Sequence, residues 1–208
     1  GWKLKPIHKL MMTSSVYMQS GKSLVASAKA DPENLLLWRR QPKRMEGEII
    51  RDSLLEISGT LDKKMFGKGT LNERTPRRSV YLTVKRSRRI PFLQLFDAPD
   101  TMQGVGSREE STVAPQALAL LNSPFVRDLA SKFAKRIRPD AKTPLADSVI
   151  QAYQLALSRV PSVDEKKNML AFIKQQTAAR GKAGNAGELA FRDFCHILLC
   201  TNEFIYVD

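Results

Sequence analysis

The sequence lacks any apolar run close to the ~20 residues that a membrane-spanning helix requires, because polar groups interrupt each candidate within a few positions. Its first residues, Gly1-Trp2-Lys3-Leu4-Lys5-Pro6, have none of the apolar core of a secretory signal. They do not begin with Met, so the expectation is a part of a longer polypeptide with any targeting information upstream. Cysteine is scarce. Cys195 and Cys200 lie five residues apart on one predicted helix, point in different directions and are badly placed to bridge. Their spacing fits neither haem attachment nor a zinc set, so they read as buried thiols and say nothing of the redox compartment. Only His8 and His196 supply imidazole, and neither has a second ligand at i+3 or i+4, so no metal site is expected. His196 sits on an apolar helix, where a core histidine with one hydrogen-bond partner is the default. The nucleophile elbow, phosphate loop and dinucleotide fingerprint are missing as well. No repeat emerges at a fixed period. Together these absences leave no catalytic residue to name, and they lean against an enzyme for this domain alone without deciding the question.

What is present is charge and helix punctuation. The 208 residues carry a net charge of +13, with 42% hydrophobic content, enough for a sizeable core. The excess is one-sided: residues 1–96 hold 20 Lys and Arg against 8 Asp and Glu, while residues 97–208 hold 14 against 13. Such asymmetry predicts a positive potential on one part of the surface and an anionic partner. Solubility alone accounts for it equally well.

An amphipathic stretch over 6–19 repeats apolar positions at Ile7, Leu10, Met11 and Met18. Asp31-Pro32-Glu33-Asn34 opens a short apolar segment ending at Trp38. A helix is expected from Pro42, with Ile50, Leu54, Ile57 and Leu61 on its buried face. From 62 to 112 the texture turns rich in Gly, Pro and Arg. There Val80, Leu82 and Val84 alternate with Tyr81, Thr83 and Lys85, the period of a short strand, and a short helix is expected over 91–96. The remainder reads as consecutive helices. Pro115, Pro124 and Pro144 stand at helix starts, and Ser162-Val163-Asp164-Glu165 is a capping box. The last helix, over 188–203, is apolar almost all round and should be the most buried. The expected fold is mainly α, a helical bundle with a basic N-terminal lobe and a minor β element around 79–85. The lobe spans 1–113 and the C-terminal bundle 114–208, as one compact unit.

The densest cationic run is Arg74, Arg77, Arg78, Lys85, Arg86, Arg88 and Arg89, with no acidic residue between Arg74 and Arg89. Arginine suits bidentate contact with sulfate, phosphate or carboxylate, and Tyr81 and Phe92 would add stacking. Arg74, Arg77, Arg78, Arg86, Arg88 and Arg89 are therefore the candidate anion-binding residues, although several are expected to pair with carboxylates of the fold. No signature of a nucleic-acid module is present, so nucleic acid is not the expected partner. The unit around Pro161 could suggest a helix-turn-helix, but its second helix opens on Asp164-Glu165, acid where phosphates would lie. A second candidate, a polar site, comprises Asp97, Asp100, His196 and Glu203. Paired carboxylates can serve glycosidase chemistry only across a cleft, and Asp97 and Asp100 read first as turn residues.

Several phrases in order carry a resemblance: Asp31-Pro32-Glu33-Asn34 with Leu36-Leu37-Trp38-Arg39, Ile49-Ile50-Arg51-Asp52-Ser53, and Arg77-Arg78-Ser79-Val80-Tyr81. They continue with Phe96-Asp97-Ala98-Pro99-Asp100, Ala114-Pro115-Gln116-Ala117-Leu118 with Leu121-Asn122, and Asn202-Glu203-Phe204. From residue 2 to the end the chain resembles the PSD1 (DUF1553) family, the planctomycete-type, cytochrome-associated domain of unknown function. The resemblance implies a large secreted or periplasmic protein in which this domain is C-terminal. A partner domain, and often a c-type cytochrome domain, would precede it. Genes of the family commonly accompany sulfatases and polysaccharide degradation. The family supplies no established catalytic residues. No cofactor is expected in this chain, any haem belonging to a separate upstream domain. The expected function is a binding or docking module that contacts an anionic, sulfated polysaccharide or a neighbouring cytochrome-type domain. The alternative is one lobe of a polysaccharide-active or redox enzyme whose site upstream domains complete.

Overall fold

The structure is a computed structural model, and it describes residues 1–99, 106–140, 142–181 and 184–207. Asp100, one of the expected site residues, lies outside the described residues. The chain divides into two units, one of residues 1–44 with 206–207, the other of residues 45–205.

In the first unit, α1 (Leu4–Met12) and α2 (Val25–Ala30) bury none of their residues. Helix α1 is shorter than the expected 6–19 stretch, because Thr13 caps it by donating both its amide and hydroxyl to Lys9 O. The Asp31–Arg39 loop closes on itself. The Asp31 carboxylate accepts the amides of Leu35 (3.0 Å) and Leu36 (2.8 Å), and Trp38 Nε1 donates to Asp31 O (2.8 Å). Asn34 bridges both the amide and the carbonyl of Arg39. The polar members of that sequence phrase thus hold a turn, in which Asn34 and Leu37 take positive φ. Strand β1 (Lys43–Arg44) pairs antiparallel with β2 (Tyr206–Val207), Lys43 opposite Val207.

The second unit begins with α3 (Gly47–Ile57), five residues later than Pro42 suggests, since the intervening residues form β1. Ile50, Leu54 and Leu55 are its buried apolar residues. Gly47 allows close approach to α4 (Pro91–Leu95): a Cβ there would stand 2.9 Å from Phe96 Cβ. The alternation over 80–85 does not form a strand. A 3₁₀ turn (Ser79–Tyr81) is followed by a single parallel bridge between Thr70 and Leu82, and then by a tight turn in which Arg88 N donates to Lys85 O (3.1 Å). One bridge gives the segment no ladder to extend, so its backbone stays irregular.

The C-terminal helices follow the expected punctuation: α5 (Ala114–Asn122), α6 (Pro124–Ile137), α7 (Leu145–Leu157), α8 (Val163–Ala179), α9 (Ala186–Leu199) and α10 (Asn202–Ile205). Ser162 and Glu165 form the reciprocal capping box of α8, and Ser158 ends α7 in the left-handed conformation. Helix α9 is the hub of the bundle and packs against α5, α6, α7 and α8. It buries Ala190, Phe191, Phe194, Cys195, Leu198 and Leu199, as its apolar character foretold. The fold is mainly α, and among the described residues no helix is long and apolar enough to cross a membrane.

Candidate functional site

The irregular segment between α3 and α4 carries all six candidate arginines, and a buried arginine fixes its path. Arg51 on α3 is fully buried, 0% exposed. Its Nε donates to Glu73 O (3.0 Å), its Nη1 to Arg77 O (3.0 Å) and Ser79 Oγ (3.1 Å), and its Nη2 to Thr75 O. Burial lowers its pKa, against the pull of Asp52 and Glu73. The neighbouring Asp52 accepts the amide (2.7 Å) and hydroxyl (2.6 Å) of Ser79. Arg51-Asp52 and Arg77-Arg78-Ser79 are thus two halves of one clamp, which a reading of the two phrases separately cannot show.

Arg77 points back into its own segment. It donates to the carbonyls of Lys64 (3.2 Å), Phe66 (2.5 Å) and Lys68 (3.2 Å), and its guanidinium lies 3.6 Å from the centre of the Tyr81 ring. Arg78 is exposed and stands 3.8 Å from the Asp52 carboxylate. The fold therefore uses these two candidates. Arg74, Arg86 and Arg88 are different: they are exposed, and their side chains have no acidic partner among the described residues. Arg74, Arg88 and Arg89 line one concavity of about 540 Å³ together with Thr70, Asn72 and Glu73.

Arg88 and Arg89 also face a second pocket of about 340 Å³, with Leu82, Val84, Ile90, Leu93 and Pro99 among its lining residues. Arg108 stands in the wall of that pocket and binds Glu46 (2.7 Å) and Glu48 (2.8 Å). Burial works against its charge, but the two carboxylates outweigh burial and raise its pKa. Sequence reasoning missed Arg108, which follows the cationic run by 19 positions and precedes Glu109-Glu110.

Among the described residues, the polar candidates Asp97, His196 and Glu203 do not share a network. Asp97, at positive φ after α4, accepts the amide (2.7 Å) and hydroxyl (2.8 Å) of Ser111, and Gln116 Nε2 reaches Leu95 O and Ser111 O beside it. His196 Nε2 lies 3.0 Å from Leu120 O, tying α9 to α5, and lines a shallow pocket with Arg127, Gln176 and Arg180. Glu203 pairs with Arg159 (2.5 and 2.7 Å), which also holds Glu165 (2.6 and 2.8 Å) and lies over the Tyr153 ring. These hydrogen bonds hold the Glu165 carboxyl down at about 2. Each of the three residues joins segments of the fold. Among the described residues no three of His, Cys, Asp and Glu are grouped to hold a metal ion. Both cysteines are free thiols; burial pushes Cys200 up to about 11 and Cys195 well above its ordinary value.

The model of one protein family, described as PSD1, protein of unknown function (DUF1553), matches residues 1–173 of the 208, and the chain belongs to that family. No curated protein and no solved structure matches the chain.

Proposed function

We propose that this member of the PSD1 family is a binding module whose irregular basic segment contacts a sulfated, anionic polysaccharide. One observation carries the reading. Arg74, Arg86 and Arg88 stand exposed with no acidic partner among the described residues, and Arg74, Arg88 and Arg89 line one concavity. Cations left without carboxylates in a fold that pairs Arg78, Arg108 and Arg159 offer charge to something outside the chain. Thr70, Asn72 and Glu73 in the same concavity supply the hydrogen-bonding groups that sugar hydroxyls need. A secreted or periplasmic location belongs to the same proposal, and a neighbouring cytochrome-type domain with an acidic face is the other partner such a segment would fit. The reading as one lobe of an enzyme is weaker, because Asp97, His196 and Glu203 are engaged in three separate networks.

Titration calorimetry with chondroitin sulfate tests it, with uncharged dextran as control. Binding is expected to weaken as salt rises from 50 to 300 mM, the concentrations being about those over which the screening length shortens to several ångströms. The combined change Arg74→Ala, Arg86→Ala and Arg88→Ala is expected to cost at least about tenfold in affinity. No heat with chondroitin sulfate, or binding that salt leaves unchanged, overturns the proposal.

A further inference from the structure

The second pocket beside Arg88 and Arg89 is unlike the first. Its floor is apolar: Leu82 and Ile90 are each 8% exposed, and Leu93, Ala98 and Pro99 continue the surface. Val84, 78% exposed, stands at the edge. The described lining brings the exposed cations Lys85 and Arg88 to its rim, and its one carboxylate, Glu48, is paired with Arg108. The tight turn from Lys85 to Arg88 holds these two cations close together. In the wall, Glu48 Oε2 and Arg108 Nε are buried atoms with no hydrogen-bond partner among the described residues.

An apolar floor disfavours a hydrated inorganic ion, and a cationic rim disfavours a neutral or positive guest. The volume, about 340 Å³, lies at the lower end of small-molecule pockets and suits a compact ligand more than a chain of sugars. We infer that this pocket binds a small organic anion, an aliphatic or aryl body of several carbons carrying one carboxylate or sulfate head. The body covers Leu82, Ile90 and Leu93, and the head lies between Lys85 and Arg88. The inference rests on the same cationic segment as the polysaccharide reading, but it concerns a different cavity and a different ligand class.

The test is calorimetry on the full chain with octanoate and octyl sulfate, each below its micelle concentration. 1-Octanol serves as the body alone and inorganic sulfate as the head alone. Either anion is expected to bind at least about tenfold tighter than both controls, and comparison of the two anions shows which head the rim prefers. Val84→Asp, at an exposed edge position where folding is not at stake, is expected to weaken both by tenfold or more; Arg88→Ala is expected to do the same. Arg74→Ala, which touches only the polar concavity, is expected to leave them unchanged while weakening chondroitin sulfate. Octanol binding as tightly as octanoate overturns the inference, and so does an unchanged affinity in Val84→Asp, which would place the anions on other apolar surface. Binding of chondroitin sulfate without either amphiphile sinks this inference alone. The reverse pattern sinks the polysaccharide reading alone.

Discussion

Two parts of the second unit hold their backbones in opposite ways. In the bundle of α6 to α9 the helices satisfy their own amides and carbonyls, and what remains is to cover apolar faces: Leu129 and Phe133 of α6 and Phe194 and Leu198 of α9 are buried there. In the segment over 58–90 there is no ladder, only scattered main-chain bonds such as Asp62 N to Pro76 O, so several of its carbonyls are met by side chains. Arg51 meets those of Glu73, Thr75 and Arg77, while Arg77 meets those of Lys64, Phe66 and Lys68. A buried polar backbone group needs a partner wherever it lies. The difference teaches why the basic segment is rich in arginine: part of that charge is scaffolding, and only the remainder faces outward.

The largest effect should come from breaking the scaffold at its centre. Arg51→Met keeps the volume roughly constant but strips donors from three carbonyls and leaves Asp52 without its neighbour, a loss of about 3–5 kcal/mol. Urea denaturation measures it. Hydrogen exchange should show residues over 62–90 losing protection while α6 to α9 keep theirs. Uniform loss across both parts would mean that the two are not held separately. Leu129→Ala probes the other side of the comparison. It opens a cavity between α6 and the rest of the bundle and should cost about 3 kcal/mol, with the bundle and the basic segment losing protection together.

The same contrast decides what could be read from the sequence. The helices were legible because their signals are local: a Pro at the first turn of α5 and α6, and Ser162 three residues before Glu165. The burial of α9 followed from its apolar run. The irregular segment was not legible, since Arg51 binds main-chain carbonyls 22 to 26 residues away, and a carbonyl carries no residue identity. For the same reason Val80–Lys85 read as a strand, although its only bridges are isolated ones, Leu82 to Thr70 and the turn-closing Lys85 to Arg88. The cationic run itself was visible, but not that Arg77 turns inward while Arg74, Arg86 and Arg88 do not. The apolar pocket depends on Leu82, Ile90, Leu93 and Arg108 meeting from separate segments, and no pattern in the chain joins them.

A smaller effect is expected from a helix end. Ser162→Ala removes the acceptor of the Glu165 amide (3.2 Å) and should cost about 1 kcal/mol in thermal unfolding. Ser162→Asp, which restores an acceptor, should recover most of it.

The smallest and most specific effect is a pH dependence confined to that same corner. Glu165 accepts from Arg159 and from the Ser162 amide (2.7 Å), which holds its carboxyl at about 2 against an ordinary 4.5. A carboxyl whose folded value is depressed binds its proton more readily when unfolded. Its contribution to stability is therefore complete above about 4.5 and fades as the pH falls towards 2. The pair is partly exposed, so the effect should be modest and should shrink in high salt. Comparing urea midpoints at pH 6 and pH 3, Glu165→Gln should show a smaller fall than the unaltered chain. An equal fall in both would mean that the contacts of Glu165 do not carry the acid sensitivity.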